Sequence, residues 1–190
     1  MATQIAAAWA IGHDPPPMDR HSTADEHLLA LIEIPKGSRN KYEWDPVSGH
    51  VVLDRFLSSS TVYPVDYGFL TGHLGEDGDP LDCLVCVSEP TFPGCVIPVK
   101  PVGLLKMRDE DGPDDKVVCV PLRDPGWSSV EDLDDLPPQL LIEVEHFFNV
   151  YKELEHKPVE TDGWRHRAEA QETIDAAKQR EADHGPGSVD

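Results

Sequence analysis

The sequence predicts an α+β fold in which a small, closed or strongly curved antiparallel sheet precedes two helices. Short apolar and aromatic runs at 28–34, 41–45, 50–55, 61–70, 81–87, 95–107 and 116–120 are separated by Gly, Pro and Asp clusters, as successive strands are. Helix-period patterns come only afterwards, from Pro137 to Tyr151 and from about Trp164 to Glu181. Strands first and helices second is the signature of α+β rather than of alternating α/β. At 190 residues and 39% hydrophobic content, the chain suffices for one well-cored domain. We place that domain at 26–183, between an N-terminal extension at 1–25 and a tail at 184–190.

The extension ends in Pro15-Pro16-Pro17 and a polar stretch, so it is expected to order only against a partner. Its first residues, MATQIAAAWAIGHDPPP, lack a basic leader, and their apolar run is too short for export or spanning; the cytoplasm is the expected address. LLALIEI at 28–34 is the first strand. Its Glu33 is either a solvated edge residue or a site ligand. KYEWD at 41–45 and HVVLDR at 50–55 flank Pro46-Val47-Ser48-Gly49, a hairpin with a four-residue loop. Alternation puts Lys41, Glu43 and Asp45 on one face of it and Tyr42 and Trp44 on the other. Thr61 to Leu70 is extended and aromatic, punctuated by Pro64 and Gly68. LDCLVCV and CVIPVKPVGLLKM follow, the second with two prolines that suit an edge, a bulge or a bend. The strand from Lys116 to Val120 closes the series.

Leu140, Leu141, Val144, Phe147, Phe148 and Tyr151 recur on one face of the first helix, which should pack on the sheet and deliver Tyr151 and Lys152 at its end. The four cysteines, Cys83, Cys86, Cys95 and Cys119, lie in apolar runs as reduced, buried thiols. Cys83 and Cys86 form C-x-x-C, but residues three apart on a strand face opposite ways, which argues against a shared zinc or redox pair.

A formal net charge of −20 excludes general binding to nucleic acid or to an anionic membrane, since counterion release needs a basic surface. An acidic chain can still hold an anion where a bound cation inverts the local field. Two stretches suit that chemistry. Asp77-Gly78-Asp79-Pro80-Leu81-Asp82 puts three carboxylates in six residues on a turn bent by Gly78 and Pro80, and Asp109 to Asp115 forms a second acidic loop. Oxygen ligands of this kind suit Mg2+ together with substrate phosphates, whereas a lone D-G-D-P is more often a solvated turn. Asp77, Asp82, Asp109 and Asp114 are candidate ligands for two or more ions in a site of the in-line displacement type. Lys41, Arg55 and Lys152, with the hydroxyls of Tyr63, Tyr67 and Tyr151, would bind phosphoryl oxygens. No Walker loop, G-x-G-x-x-G or nucleophile elbow is present.

These residues resemble the soluble, Mg2+-dependent inorganic pyrophosphatases of the first family. Asp77 to Asp82 matches the pattern D-[SGDN]-D-P-x-D. IEIP around Glu33, KYE at 41–43, DR at 54–55, YPVDYG from Tyr63, KMRDEDGPDDK from Lys106 and HFFNVYK from His146 fall in the same order. IPKGSRNKYE and CVPLRDPGW are similar in texture to actinobacterial members.

The resemblance implies a five-stranded, OB-like closed β-barrel with two C-terminal helices, and hydrolysis of inorganic diphosphate to two orthophosphates by a Mg-activated water. It implies Asp77, Asp82 and Asp114 as ligands of the tightly held metals, Asp109 and Glu43 as ligands of those arriving with substrate, and Glu33 as an acidic group lining the same cavity. Lys41, Arg55, Tyr67, Tyr151 and Lys152 match substrate-binding positions, and Tyr63 and Lys116 supporting ones. Asp79 matches the base for the attacking water, with Asp114 the other candidate proton acceptor. Several Mg2+ per site are implied, with Mn2+ or Zn2+ as substitutes and Ca2+ as an inhibitor. Bacterial members are usually hexamers, with a histidine like His146 at an interface.

Two other functions were weighed. A calcium-binding EF-hand needs Gly at loop position six and Glu at twelve, and counting from Asp77 meets Asp82 and Ser88. An OB-type nucleic-acid binder needs a basic groove that a chain this acidic lacks.

Overall fold

The structure, a computed structural model, describes residues 27–110 and 112–184. The expectations for the N-terminal extension and for the tail beyond 184 lie outside those residues. Among the described residues, nine strands and two α-helices run in the order β1 (Leu28–Ile34), β2 (Asn40–Asp45), β3 (His50–Phe56), β4 (Asp66–Leu74), β5 (Pro80–Val85), β6 (Val96–Asp109), β7 (Gly112–Pro113), β8 (Lys116–Pro121), α1 (Pro138–Val150), β9 (Glu160–His166) and α2 (Arg167–His184).

β1, β4, β5, β8 and β6 pair in that order, and β6 pairs back onto β1, so five strands close into a barrel. The 14-residue β6 makes closure possible. Val96 to Val99 pair with β1, Val99 to Leu105 with β8, and Gly103 to Arg108 with β9. Its register shifts between Pro101 and Gly103, where a proline cannot donate to the ladder, as the prolines in that run suggested. The sheet is not wholly antiparallel: β5 and β8 run parallel, because β6 intervenes between them as the crossover.

Alternation along each strand divides the apolar residues between two cores. Cys83, Val85, Val117 and Cys119 join Ala30, Ile32 and Leu70, and α2 closes this core with Ala170, Ile174 and Ala177. Leu84, Cys86, Val118 and Val120 face the other way, where α1 brings Val144, Phe147, Phe148 and Tyr151. Cys83 and Cys86 therefore face opposite cores, as strand geometry requires. Gly68 lets β4 reach β1, since a Cβ there would lie 1.9 Å from the carbonyl oxygen of Leu31.

The hairpin β2–β3 forms a separate two-stranded sheet with Asp45 opposite His50, closing the expected four-residue loop. α1 begins at the predicted prolines. The second helix does not start at Trp164: that residue sits in β9, opposite Leu105, and the helix begins at Arg167. ETDGWRH is polar and contains Gly163, so it carries no strand signal of its own; its pairing partner β6 makes it a strand.

Candidate active site

The acidic turn is built by its backbone. Gly75 N–H donates to the Asp79 carbonyl (2.6 Å), and Gly78 takes φ 93°, which a side chain would oppose. Asp79 N–H donates to Asp77 Oδ1 (3.0 Å), so one oxygen of Asp77 is folded onto its own turn, while Asp79 is exposed. Two residues into β5, Asp82 faces the α1 side, as Leu84 does. Tyr67 Oη donates to Asp82 Oδ2 (2.6 Å).

On the neighbouring β8, the Lys116 ammonium is buried between Asp82 and Asp114 and contacts both. It lies 5.6 Å from the Tyr67 ring centre and 6.0 Å from that of Phe148. Burial alone would favour a neutral amine, but the two carboxylates outweigh it and raise the Lys116 pKa above its ordinary value. Burial likewise raises the Asp114 carboxyl. Lys116 opposes that rise, and the charges of Asp82 and Asp109 add to it.

α1 ends at this mouth. The Tyr151 ring stacks on Phe147 at 5.2 Å, and burial raises its hydroxyl pKa against the opposing pull of Lys152 and Lys116. Lys152 Nζ donates to Asp109 Oδ2 (2.8 Å) and Glu110 Oε2 (3.3 Å). Glu110 also pairs with Lys157 (2.8 Å); its slight burial is outweighed by the two lysines, which pull it to about 2.

The hairpin supplies the opposite wall. Lys41 contacts Glu43 and lies 3.4 Å from Asp54; Arg55 reaches Asp54 (2.5 Å) and Glu155 (3.1 Å). Glu33 is no solvated edge residue, being only 9% exposed, and its Oε1 accepts the Trp44 N–H (2.6 Å). Burial pushes it up to about 7, with Asp82 and Glu43 adding and Trp44 N–H and Lys41 opposing. The buried Tyr63 ring, 5.4 Å from Tyr67 and 4.6 Å from Phe147, supports the floor.

Glu33, Lys41, Glu43, Arg55, Tyr63, Tyr67, Asp82, Asp109, Asp114, Lys116, Tyr151 and Lys152 thus form one continuous electrostatic neighbourhood. Asp77 and Asp79 stand on the turn beside it. The sequence reading missed Glu110, Lys157 and Glu155. Glu110 lies inside a matched motif, so a count of its carboxylates would have found it, whereas Lys157 and Glu155 carry no spacing signal.

Among the described residues, no three His, Cys, Asp or Glu side chains are gathered around a common point. The donor chemistry nevertheless fits a hard divalent ion: hard carboxylate oxygens from β5, the β6 end and the β7–β8 connection converge on lysine ammonium groups. Carboxylates also outnumber lysines and arginines at the mouth, an imbalance that an incoming cation relieves.

The chain matches the family model described as inorganic pyrophosphatase over residues 30–182. It is 53% identical over 150 residues to the inorganic pyrophosphatase of Methanosarcina mazei, covering 79% of this chain and 89% of the relative. To that of Streptomyces coelicolor it is 51% identical over 155 residues, covering 81% and 95%. The crystal structure of the Thermus thermophilus inorganic pyrophosphatase superposes with a TM-score of 0.81 at 44% identity, covering 84% of this chain and 94% of that one. Pyrophosphatases of this family are generally metal-dependent. Family match, identity over most of both chains and a shared barrel agree: the chain belongs to the inorganic pyrophosphatase family.

Proposed function

We propose that the chain hydrolyses inorganic diphosphate to two orthophosphates with Mg2+ as its resident ion, several per site, and Mn2+ or Zn2+ as substitutes. The observation that carries this reading is the pairing of cationic binding groups with carboxylates around one mouth, centred on Lys116 between Asp82 and Asp114. Asp77, Asp82 and Asp114 would hold the tight ions, and Asp109, Glu43 and Glu33 would face those entering with substrate. When bound, such ions acidify a coordinated water and neutralise phosphate charge.

The chain's own groups do the rest. Lys41, Arg55 and Lys152 bind the anion through charge-assisted hydrogen bonds, and the Tyr151 hydroxyl donates another; Tyr67, whose proton goes to Asp82, would turn to the anion where a bound ion takes its place on Asp82. Tyr63 and Lys116 fix those groups from behind. Water attacks one phosphorus in line, the bridging oxygen leaves with the other phosphate, and the proton of the water passes to Asp79. We assign the base to Asp79 because, unlike Asp114, it is not among the carboxylates that would hold an ion; Asp114 is the other candidate acceptor. Ca2+, with longer and looser coordination, competes as an inhibitor.

A homohexamer is the assembly we propose, six copies being what the family resemblance implies. Exposed apolar residues support covered faces: Phe56 is 64% and Ile142 61% exposed, the latter four residues from the exposed His146 on α1. No described helix is long and apolar enough to cross a membrane, and the cytoplasm remains the proposed compartment.

Phosphate release from diphosphate, measured with millimolar Mg2+ and again with EDTA, tests the function. Release with Mg2+ that EDTA abolishes is expected, and a lack of metal-dependent release overturns the reading.

A further inference from the structure

Arg55 stands on a hairpin whose strands, among the described residues, form ladder hydrogen bonds only with each other; Trp44 N–H to Glu33 ties β2 to β1, but no ladder fixes the position of β3, which carries Arg55, relative to the barrel. Glu155, 100 residues further on, accepts from Nε through Oε1 at 3.3 Å and forms an ion pair with Nη2 through Oε2 at 3.1 Å. The Glu155 side chain is only 14% exposed and sits at the end of the short 3-10 turn Glu153–Glu155. That turn is closed by Glu155 N–H to the Lys152 carbonyl (3.0 Å) and ended by His156 in the left-handed region (φ 57°). Because the turn follows directly on Tyr151 and Lys152, the pair joins the hairpin wall to the α1 wall.

We propose that Glu155 is the positioning residue for Arg55, holding the guanidinium by its Nε–Nη2 edge so that Arg55, Tyr151 and Lys152 face the diphosphate as one unit. This rests on the diphosphatase reading above. An arginine carries five N–H donors. Nε donates to Glu155 and Nη1 to Asp54, with Nη2 paired to Glu155 by charge, so N–H groups on Nη1 and Nη2 remain for phosphoryl oxygens. A guanidinium held on a carboxylate cannot swing out with the exposed hairpin, and less freedom is lost when the anion binds. Glu155 does not touch the substrate; it acts through Arg55.

The test uses the full chain in Mg2+. Glu155→Gln keeps one acceptor oxygen and loses the charge and with it the ion pair. KM for diphosphate is expected to rise about tenfold with a smaller change in kcat, and the melting temperature to stay near wild type. Glu155→Asp should recover part of the loss. In an Arg55→Gln background, adding Glu155→Gln should leave KM where Arg55→Gln alone puts it, because the two side chains act as a unit. An unchanged KM in Glu155→Gln overturns the proposal, as do effects that multiply in the double variant. Loss of the folded state in both Glu155 variants also overturns it, by making the role structural. If the wild-type chain releases no phosphate, the diphosphatase reading fails first and takes this inference with it.

Discussion

Lys116 and Glu33 are two of the buried ionisable groups on which the mouth turns, and neither could be weighed from the sequence. Lys116 read as a supporting residue by resemblance; that its ammonium stands between Asp82 and Asp114 depends on β5 and β8 lying side by side, which no local pattern announces. Glu33 interrupts an apolar run, and a run alone cannot distinguish a solvated edge from a buried ligand. It is buried at the register shift between Ile32 and Ile34 in β1, where the hairpin's Trp44 N–H meets its carboxylate. The carboxylates, lysines and tyrosines were legible because motif spacing survives without knowledge of the fold. Removing the Lys116 charge while keeping its volume is expected to be costly. Lys116→Met leaves two converging carboxylates without their counter-charge, and such losses run to about 3–5 kcal/mol. Urea unfolding in EDTA should show a midpoint well below wild type; an equal midpoint would mean the ammonium is not what holds β5 and β8 together at this end.

At the level of elements, strands whose residues alternate or run apolar were legible to within a few residues, and β9 and the start of α2 were not. β9 pairs at the edge of β6 and meets a core only through Trp164, too little to mark it as a strand. Among its described residues α2 buries two alanines and one isoleucine, Ala170, Ala177 and Ile174, spaced for one helical face and too few to mark its beginning. Its grip on the barrel is partly polar. Arg180 Nε donates to the Leu74 carbonyl (3.0 Å), just before the acidic turn, and His73 on β4 is buried against the helix near Lys178, Glu181 and Asp175.

Burial lowers the His73 pKa from its ordinary 6.5; Lys178 adds to that, while the Thr71 carbonyl, Glu181 and Asp175 oppose it. The sign follows from linkage. A folded pKa below the unfolded one means the unfolded chain takes up the proton first. The contribution of His73 is therefore full above about pH 6.5 and is lost as pH falls toward the folded value. His73→Gln should lose less stability than wild type between pH 7.5 and 5.5, as read from urea midpoints at the two pH values. Equal losses would place the pH sensitivity elsewhere.

The whole molecule carries 36 acidic against 16 basic residues, a net charge of −20, and its proposed substrate is itself an anion. Those totals call for bound cations, and the fold sharpens the need by setting Glu33, Asp82, Asp109 and Asp114 around one mouth. Two kinds of cation relief are separable. General screening acts on all surface charges, follows ionic strength and is indifferent to valence at a site. Site binding stabilises by mass action, about 2.7 kcal/mol for one site at a hundred times its Kd, or roughly 5–10 °C in the melting temperature of a chain this long. Mg2+ without diphosphate should therefore raise the melting temperature by several degrees more than NaCl at the same ionic strength. A double variant, Asp82→Asn with Asp114→Asn, should respond to the two salts alike. Equal shifts in the wild-type chain would reduce the acidic mouth to a screened surface, and the ions would then have no built place from which to bring an anion into so negative a protein.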